Sequence, residues 1–591
     1  FMAQATRSHS RFYSGRGPVN PVPETALPRT ADIMGVPNPI LVAILWLWPI
    51  PVLIVVWRYL WKLPTAPEPE PEPEWFGRPL KVPLDSLDKL SLTILFALFV
   101  LVWIGRNSIF PVPPDSYYHL MVARQIYETH SVPLWNSWEW APLGRPHLYP
   151  PLYHVLLALS AVPFNGDLLA AFRNLQPAML PFAHLTTWYL ARWLFDSRRA
   201  FIALLIVGLE PVLVTSSALG MPGVLVTSWV SLLVVFFLSG RWILACAMLT
   251  IAFYTHLGIP ALTLTGLGLF CLVRRQYLTR YVGMAVVALV LASPWFIRIY
   301  VFRDWFTHPL DAGLYGIIEP WKLPFIKLAW LQMINLFVVL LVILAVPQIR
   351  WRETRNLVLL CLLIGFLPML LSYGGRYYIH TIHLWAIFAT VPFLGFVGEP
   401  LRWRRVGALA LLALCPAPSL IGHGTPYPPG VYPMPSAWMV GPVVAAGGLK
   451  ILDGGGGLGF ASLEDCQTVA EEIRAKTEPD QIVYFTWDRD LGVAIGYLSG
   501  HPIDTGAWEE TMPDELSRNL IRWYAFNDKT PCYVSRTGYG VPHQIEEREI
   551  AGMYMGLRAA EEPGEGDRRD VEKKKRQQKR REQREAKEST S

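Results

Sequence analysis

Long uncharged apolar runs recur along most of this chain, separated alternately by short basic links and by polar links rich in proline, glycine and aromatics. A helix needs about 20 mostly apolar residues to cross a bilayer. Runs that suit this length fall at 33–57, 87–106, 168–194, 200–218, 221–240, 242–256, 257–273, 281–300, 326–349, 356–374, 377–398 and 406–422. The basic links are Asp196–Arg199, Arg241, Arg274–Arg280, Arg350–Arg355 and Arg402–Arg405. Positive charge concentrates on the cytoplasmic side of membrane proteins, so these links are assigned there. The links of opposite parity, Phe110–His154, Thr255-His256, Val301–Pro324 and Ser372–Arg376, then lie outside the cytoplasm. The pattern predicts a polytopic α-helical membrane protein of about 12 transmembrane helices.

Phe110–His154 interrupts this pattern most strongly. It is too polar and proline-rich to cross a bilayer, and connections longer than about 12–15 residues are usually functional or disordered. Its aromatics, among them Tyr117, Tyr118, Trp135, Trp138, Trp140, Tyr149 and Tyr153, suit a membrane–water interface rather than disorder. Asp115 follows Pro113-Pro114 and precedes Ser116-Tyr117-Tyr118-His119, which places a carboxylate at a helix start. The segment reads as the floor of an active site lying on the membrane surface.

The ends of the chain differ from its body. Residues 1–32 are polar, and 33–62 form an apolar helix with a basic-aromatic anchor. Residues 63–86 include PTAPEPEPEPE, a stiff acidic spacer that tethers this first helix to the body. The body spans 87–422, with the long outer loop at 107–154. Residues 423–450 carry no Asp, Glu or Arg before Lys450 and are rich in Pro and Gly, which favours a surface or re-entrant segment over a further crossing. From 451 to 560, helical and strand-like patches alternate, predicting a small α/β soluble domain, and 561–591 is a basic, disordered tail. The first helix and the tail suit a protein partner; nothing suggests nucleic acid.

Composition agrees with this division. The 591 residues are 52% hydrophobic and 17% charged, too apolar for an ordinary soluble protein. The net charge of +6 reflects the tail and the Arg-rich links and adds little. Of six cysteines, only Cys466 and Cys532 fall in the soluble domain, where a disulfide is a minority reading.

Several polar residues stand out at the outer ends of the helices. Asp115 has His119 one turn on, on the same side; the alternative for Asp115 is a plain helix cap. Arg145, His147, Tyr149 and His154 occupy a rigid basic-aromatic stretch that otherwise serves as an interface anchor. Arg376 follows Gly374-Gly375, where a guanidinium can clamp a lipid phosphate bidentately or simply snorkel to the headgroups. Glu210 lies near the outer half of an apolar helix, where an ionisable group is a site candidate by default. His256 is more simply a structural histidine. Asp304, His308, Asp311 and Glu319 sit in a solvated loop able to close over a substrate.

This set of features resembles the GT-C glycosyltransferases and is most similar to the catalytic subunit of prokaryotic oligosaccharyltransferase. The resemblance covers roughly 87–510. Asp115, Tyr117, Tyr118 and His119 match the family's first-loop motif. Ile317-Ile318-Glu319 resembles its outer-loop Ile-x-Glu, and Arg376 occupies the place of its lipid-phosphate arginine. Thr477–Gly506 is similar to the region of its acceptor-reading motif, degraded here to Thr486-Trp487-Asp488-Arg489-Asp490. The resemblance implies transfer of a sugar or oligosaccharide from a polyprenyl-phosphate or -diphosphate donor to a protein or lipid acceptor. Asp115 would be the catalytic carboxylate. Arg376, Arg145, His119, His154 and Tyr149 would face the donor phosphate, Glu210 and Glu319 would be further acids or ligands, and Trp487 and Asp488 would lie by the acceptor.

One departure matters. The family's second acidic pair belongs just after Val214, yet Thr215–Gly223 contains no carboxylate. A hard divalent cation needs several oxygen ligands. Mn²⁺ or Mg²⁺ is therefore an option only through Asp115 and Glu319. Two rival readings are a catalytically degenerate structural or assembly subunit, which the eroded motifs suit, and a transporter. A transporter is disfavoured because no inverted repeat is visible.

Overall fold

The computed structural model describes residues 74–106, 115–208, 210, 213, 222–305, 336–369, 374–392, 417–421, 430–434, 463–485, 489–507, 515–528, 532–535, 546–550 and 553–557. Within these, the apolar runs are helices: α1 (Ser86–Ile104), α2 (Asp115–Thr129), α3 (Leu152–Ala161), α4 (Leu168–Leu194), α5 (Ser197–Val207), α6 (Pro222–Leu238), α7 (Trp242–Thr255), α8 (Gly258–Val273), α9 (Leu278–Val301), α10 (Leu336–Ala345), α11 (Thr354–Gly365) and α12 (Gly374–Phe388). Asp85, Asp167 and Asp196 start α1, α4 and α5 by accepting the first backbone N–H groups.

By length and composition, α1 and Arg275–Val301 each suffice to cross a membrane, among the described residues. Leu152–Phe164 and Leu168–Leu194 form a third candidate span bent by 115°, and α6, α7, α8 and α11 are shorter apolar helices. The expected run 406–422 departs from its reading at its end. Ala417–Ile421 (β3) pairs antiparallel with Gly430–Met434 (β4), so this part of the chain folds back as a hairpin. The strands carry Pro418 and Pro433, which lack the backbone N–H that a helix interior needs.

The bundle has two chemically distinct ends. At the basic end, Arg274 reaches the carbonyl of Arg352 at 2.6 Å, and Arg199 and Arg355 both stack on Phe195. The stretch expected to be spacer is different from Trp75 onward: it is a strap packed across this end. Trp75 is buried beside Trp193, and Trp193, Tyr189 and Arg192 donate to the carbonyls of Pro79, Leu80 and Pro83. Proline-rich chain cannot pair with itself in a sheet, so its carbonyls are open to side-chain donors. Buried Asp88 holds Arg192 at 3.0 Å, locking α1 to α4. In the middle of the bundle, a Cβ at Gly365 would overlap the backbone of Gly266, so α8 and α11 cross in close contact.

The described C-terminal residues hold helices beside a small sheet. α13 (Leu463–Lys476), α14 (Arg489–Ser499) and α15 (Glu515–Asn527) accompany a sheet of β5 (Val483–Tyr484), β6 (Cys532–Ser535), β7 (Glu546–Ile550) and β8 (Met553–Leu557). Its order is β5-β6-β8-β7, with β5 and β6 parallel and the other pairs antiparallel. Cys466 and Cys532 are both buried, with no disulfide between them.

Candidate active site

The long loop is not a floppy connection. Its α2 carries Asp115 as the first residue, where a helix N-terminus favours negative charge. Asp115 stays partly exposed, while Ser116 through Ala123 are buried. The remainder of the loop folds beneath α2 through a two-residue antiparallel ladder between β1 (Trp135–Asn136) and β2 (Arg145–Pro146).

Below α2 lies a buried polar layer. His119 Nδ1 and His154 Nε2 are 2.8 Å apart, joining α2 to α3, and the Tyr118 hydroxyl meets His147 Nδ1 at 3.0 Å. Arg145 donates to both oxygens of Glu139, at 2.7 and 2.8 Å, in a pair with almost no exposure. Asn136 donates to the same carboxylate at 2.7 Å. Arg298, from α9, donates to the carbonyl of His147. Burial holds the imidazoles of His119 and His147 well below the usual histidine range, and neighbouring histidines push the same way. Both rings are therefore neutral near pH 7.

Arg145, His119 and His154, expected to face a donor phosphate, are all buried here: Arg145 pairs with Glu139, and His119 Nδ1 bonds His154 Nε2, which leaves His119 Nε2 and His154 Nδ1 outside that bond. Glu139 is the residue that sequence reasoning missed. It is six positions from Arg145 in an irregular loop, so no helical or strand spacing announces the pair.

Tyr149 keeps an exposed edge and leads out of this layer. Its ring contacts His119, His154 and, at 6.4 Å, His256 at the end of α7. His256 lies 6.1 Å from His380 of α12, and a Cβ at Gly223 of α6 would overlap the His380 ring. Two residues before His380, the Tyr378 hydroxyl donates to Glu210 at 2.6 Å, a length typical of a bond to a charged acceptor. Arg376 lies in the first turn of α12, with its backbone alone described. The chain of rings thus runs from the Asp115 helix to the start of the Arg376 helix, at the end opposite the basic links. Glu319, Trp487 and Asp488 lie outside the described residues.

The C-terminal domain closes one side. Trp140 and Ala141 donate backbone N–H groups to the carbonyls of Thr505 and Ile503, and Ile503 donates back to Trp138 at 2.7 Å. Gly506 sits against Trp140 and Glu139 with no room for a Cβ. Tyr497 of α14 packs on Tyr117, and Arg124 of α2 stacks over Tyr497 at 4.4 Å.

No group of three or more His, Cys, Asp or Glu able to hold a metal exists among the described residues.

The helical bundle, with its first-loop helix covered on one side by the C-terminal α/β residues, is a fold shared with solved structures. The fold is similar to that of ArnT from Cupriavidus metallidurans bound to undecaprenyl phosphate. The TM-score is 0.53 at 14% identity, covering 79% of this chain and 98% of that one. The apo state of the same protein gives 0.52 at 15% identity, covering 80% and 99%. The oligosaccharyltransferase of Archaeoglobus fulgidus in its apo form gives 0.51 at 13% identity, covering 75% and 69%. No protein-family model and no curated protein matches the chain. At these identities the likeness shows the fold, and the chemistry must be argued from the residues.

Proposed function

We propose that the chain is an inverting, integral-membrane glycosyltransferase that uses a polyprenyl-phosphate or -diphosphate sugar and an extracytoplasmic protein or lipid acceptor. The observation that carries this reading is the ring series Tyr149–His256–His380, which brings the Asp115 helix and the Arg376 helix to one end of the bundle. The neighbour bound to undecaprenyl phosphate supports the class of donor.

In this reaction the acceptor's heteroatom attacks the anomeric carbon, and its proton passes to the Asp115 carboxylate. The bond from that carbon to the phosphate oxygen breaks, and its electron pair leaves on the phosphate. Arg376 stabilises the departing charge, as a preorganised donor aimed at developing charge does. Tyr149 and His256, partly exposed, line the path between the two. Glu210 fixes the start of α12 through Tyr378. Arg145, His119 and His154 form the scaffold that sets α2, rather than the donor contact. No step is routed through a metal.

The donor site is tested by binding. Arg376→Lys keeps the charge and loses the bidentate fork. Undecaprenyl phosphate should bind the Lys variant roughly tenfold more weakly, the scale of one lost charge-assisted contact. Unchanged affinity would remove Arg376 from the site.

A further inference from the structure

At the basic end, beside the strap, two cations have no hydrogen-bonded acceptor among the described residues. Arg78 is sandwiched between Trp75 and Trp193, its guanidinium carbon 5.1 Å from both ring centroids. Arg199 stacks on Phe195 at 4.3 Å, with Arg355 on the same ring at 5.1 Å. Neither Arg78 nor Arg199 has a side-chain hydrogen bond or ion pair with a described residue. Arg355 is within electrostatic reach of both.

Asp88 holds Arg192, Glu353 holds Arg355 at 2.7 Å, and Asp196 accepts the backbone N–H of Arg199. Asp196 and Glu353 also attract Arg199 without bonding its side chain, so four guanidiniums, those of Arg78, Arg192, Arg199 and Arg355, meet these three carboxylates and leave one positive charge for a further anion to offset. A phosphate matches this arrangement, because guanidiniums bind its oxygens in pairs and stack on rings at the same time. The site lies where apolar α4 ends, at Trp193, and α5 begins, the level at which anionic headgroups meet the ends of membrane helices.

We propose that Arg78, Arg199 and Arg355 form a phosphate-binding site at the basic end, occupied by the headgroup of an anionic phospholipid. It is separate from the glycosyl-transfer reading and stands or falls without it. The occupant braces the strap against the bundle.

The test uses the full chain purified in detergent, with native mass spectrometry of retained phosphatidylglycerol in competition with phosphatidylcholine. Wild type should prefer phosphatidylglycerol, and Arg78→Gln and Arg199→Gln should each weaken that preference about tenfold, the loss of one charge-assisted contact. Using both variants covers the case in which one fails to fold. Equal retention in wild type and both variants overturns the site. If inorganic phosphate binds and is lost in the variants, while phosphatidylglycerol shows no preference, the anion comes from solution and the lipid assignment is overturned. Binding seen only after Glu68, Glu70, Glu72 and Glu74 are changed to Gln would mean that the chain's own acidic linker fills the site, which also overturns it.

Discussion

Glu139 and Arg145 show how a single buried pair can hold a site together. The guanidinium is 1% exposed and the carboxylate fully buried, so each neutralises the other at a place water does not reach. Breaking a buried pair from one side leaves an uncompensated charge and costs about 3–5 kcal/mol. Glu139→Gln should therefore lower the melting temperature sharply, and adding Arg145→Met should restore part of it; a neutral single variant would mean that water already solvates the pair. Asp115, Tyr118 and His119 were legible in the sequence because they lie within one turn of a helix whose start two prolines announce. The partner of His119 was not, since His154 is 35 residues away and only the fold brings Nε2 to 2.8 Å. The carboxylate beside Arg145 was hidden for a related reason: a cation in an aromatic stretch looks like an anion ligand, and Glu139 carries no spacing signal that would pair the two.

The first loop and the C-terminal domain act as one element. Trp138–Ala141 and Ile503–Thr505 exchange three backbone hydrogen bonds, and Asp504, between them, accepts the N–H of Phe485 at 3.0 Å. Burial raises the Asp504 carboxyl to about 6, with the Phe485 bond opposing it. A folded-state pKa above the unfolded value means that the native state binds the proton more tightly. Stability from this group is then full below about pH 4 and falls as pH rises to about 6, with no further loss above. Asp504→Asn keeps the acceptor and removes the charge. It should make the melting temperature higher than wild type at pH 7.5 and equal at pH 4; the same difference at both would mean that the carboxylate is not the cause. The α/β character of this domain was readable from alternating helical and strand-like patches. Its docking on the loop was not, because backbone pairing between segments more than 350 residues apart leaves no mark on side-chain periodicity. The strap shows the same limit in reverse: proline and glutamate suggest a free spacer, whereas Trp75 and Arg78 bind it down.

At the scale of the molecule, the alternation of basic and polar links appears as two chemically different ends, and the candidate site occupies the one opposite the basic links. The positive-inside rule predicts that this end faces away from the cytoplasm. Single cysteines at exposed Ser131 and Ala475 should both react with an impermeant reagent in intact cells, and one at Arg198 should not; Ser131 reacting without Ala475 would contradict the docked domain. The lack of carboxylates in Thr215–Gly223 predicts that activity survives EDTA, which loss in chelator and recovery with Mn²⁺ would refute. The most direct test is sugar transfer by the purified full chain in proteoliposomes from a labelled polyprenyl-phosphate donor, comparing wild type with Asp115→Asn. Asn caps a helix about as well as Asp, so only charge and basicity are lost, and a general base contributes about 10²–10⁴-fold. The prediction is a loss of transfer on that scale, with an unchanged melting temperature and retained donor binding. Transfer undiminished in Asp115→Asn would contradict the account.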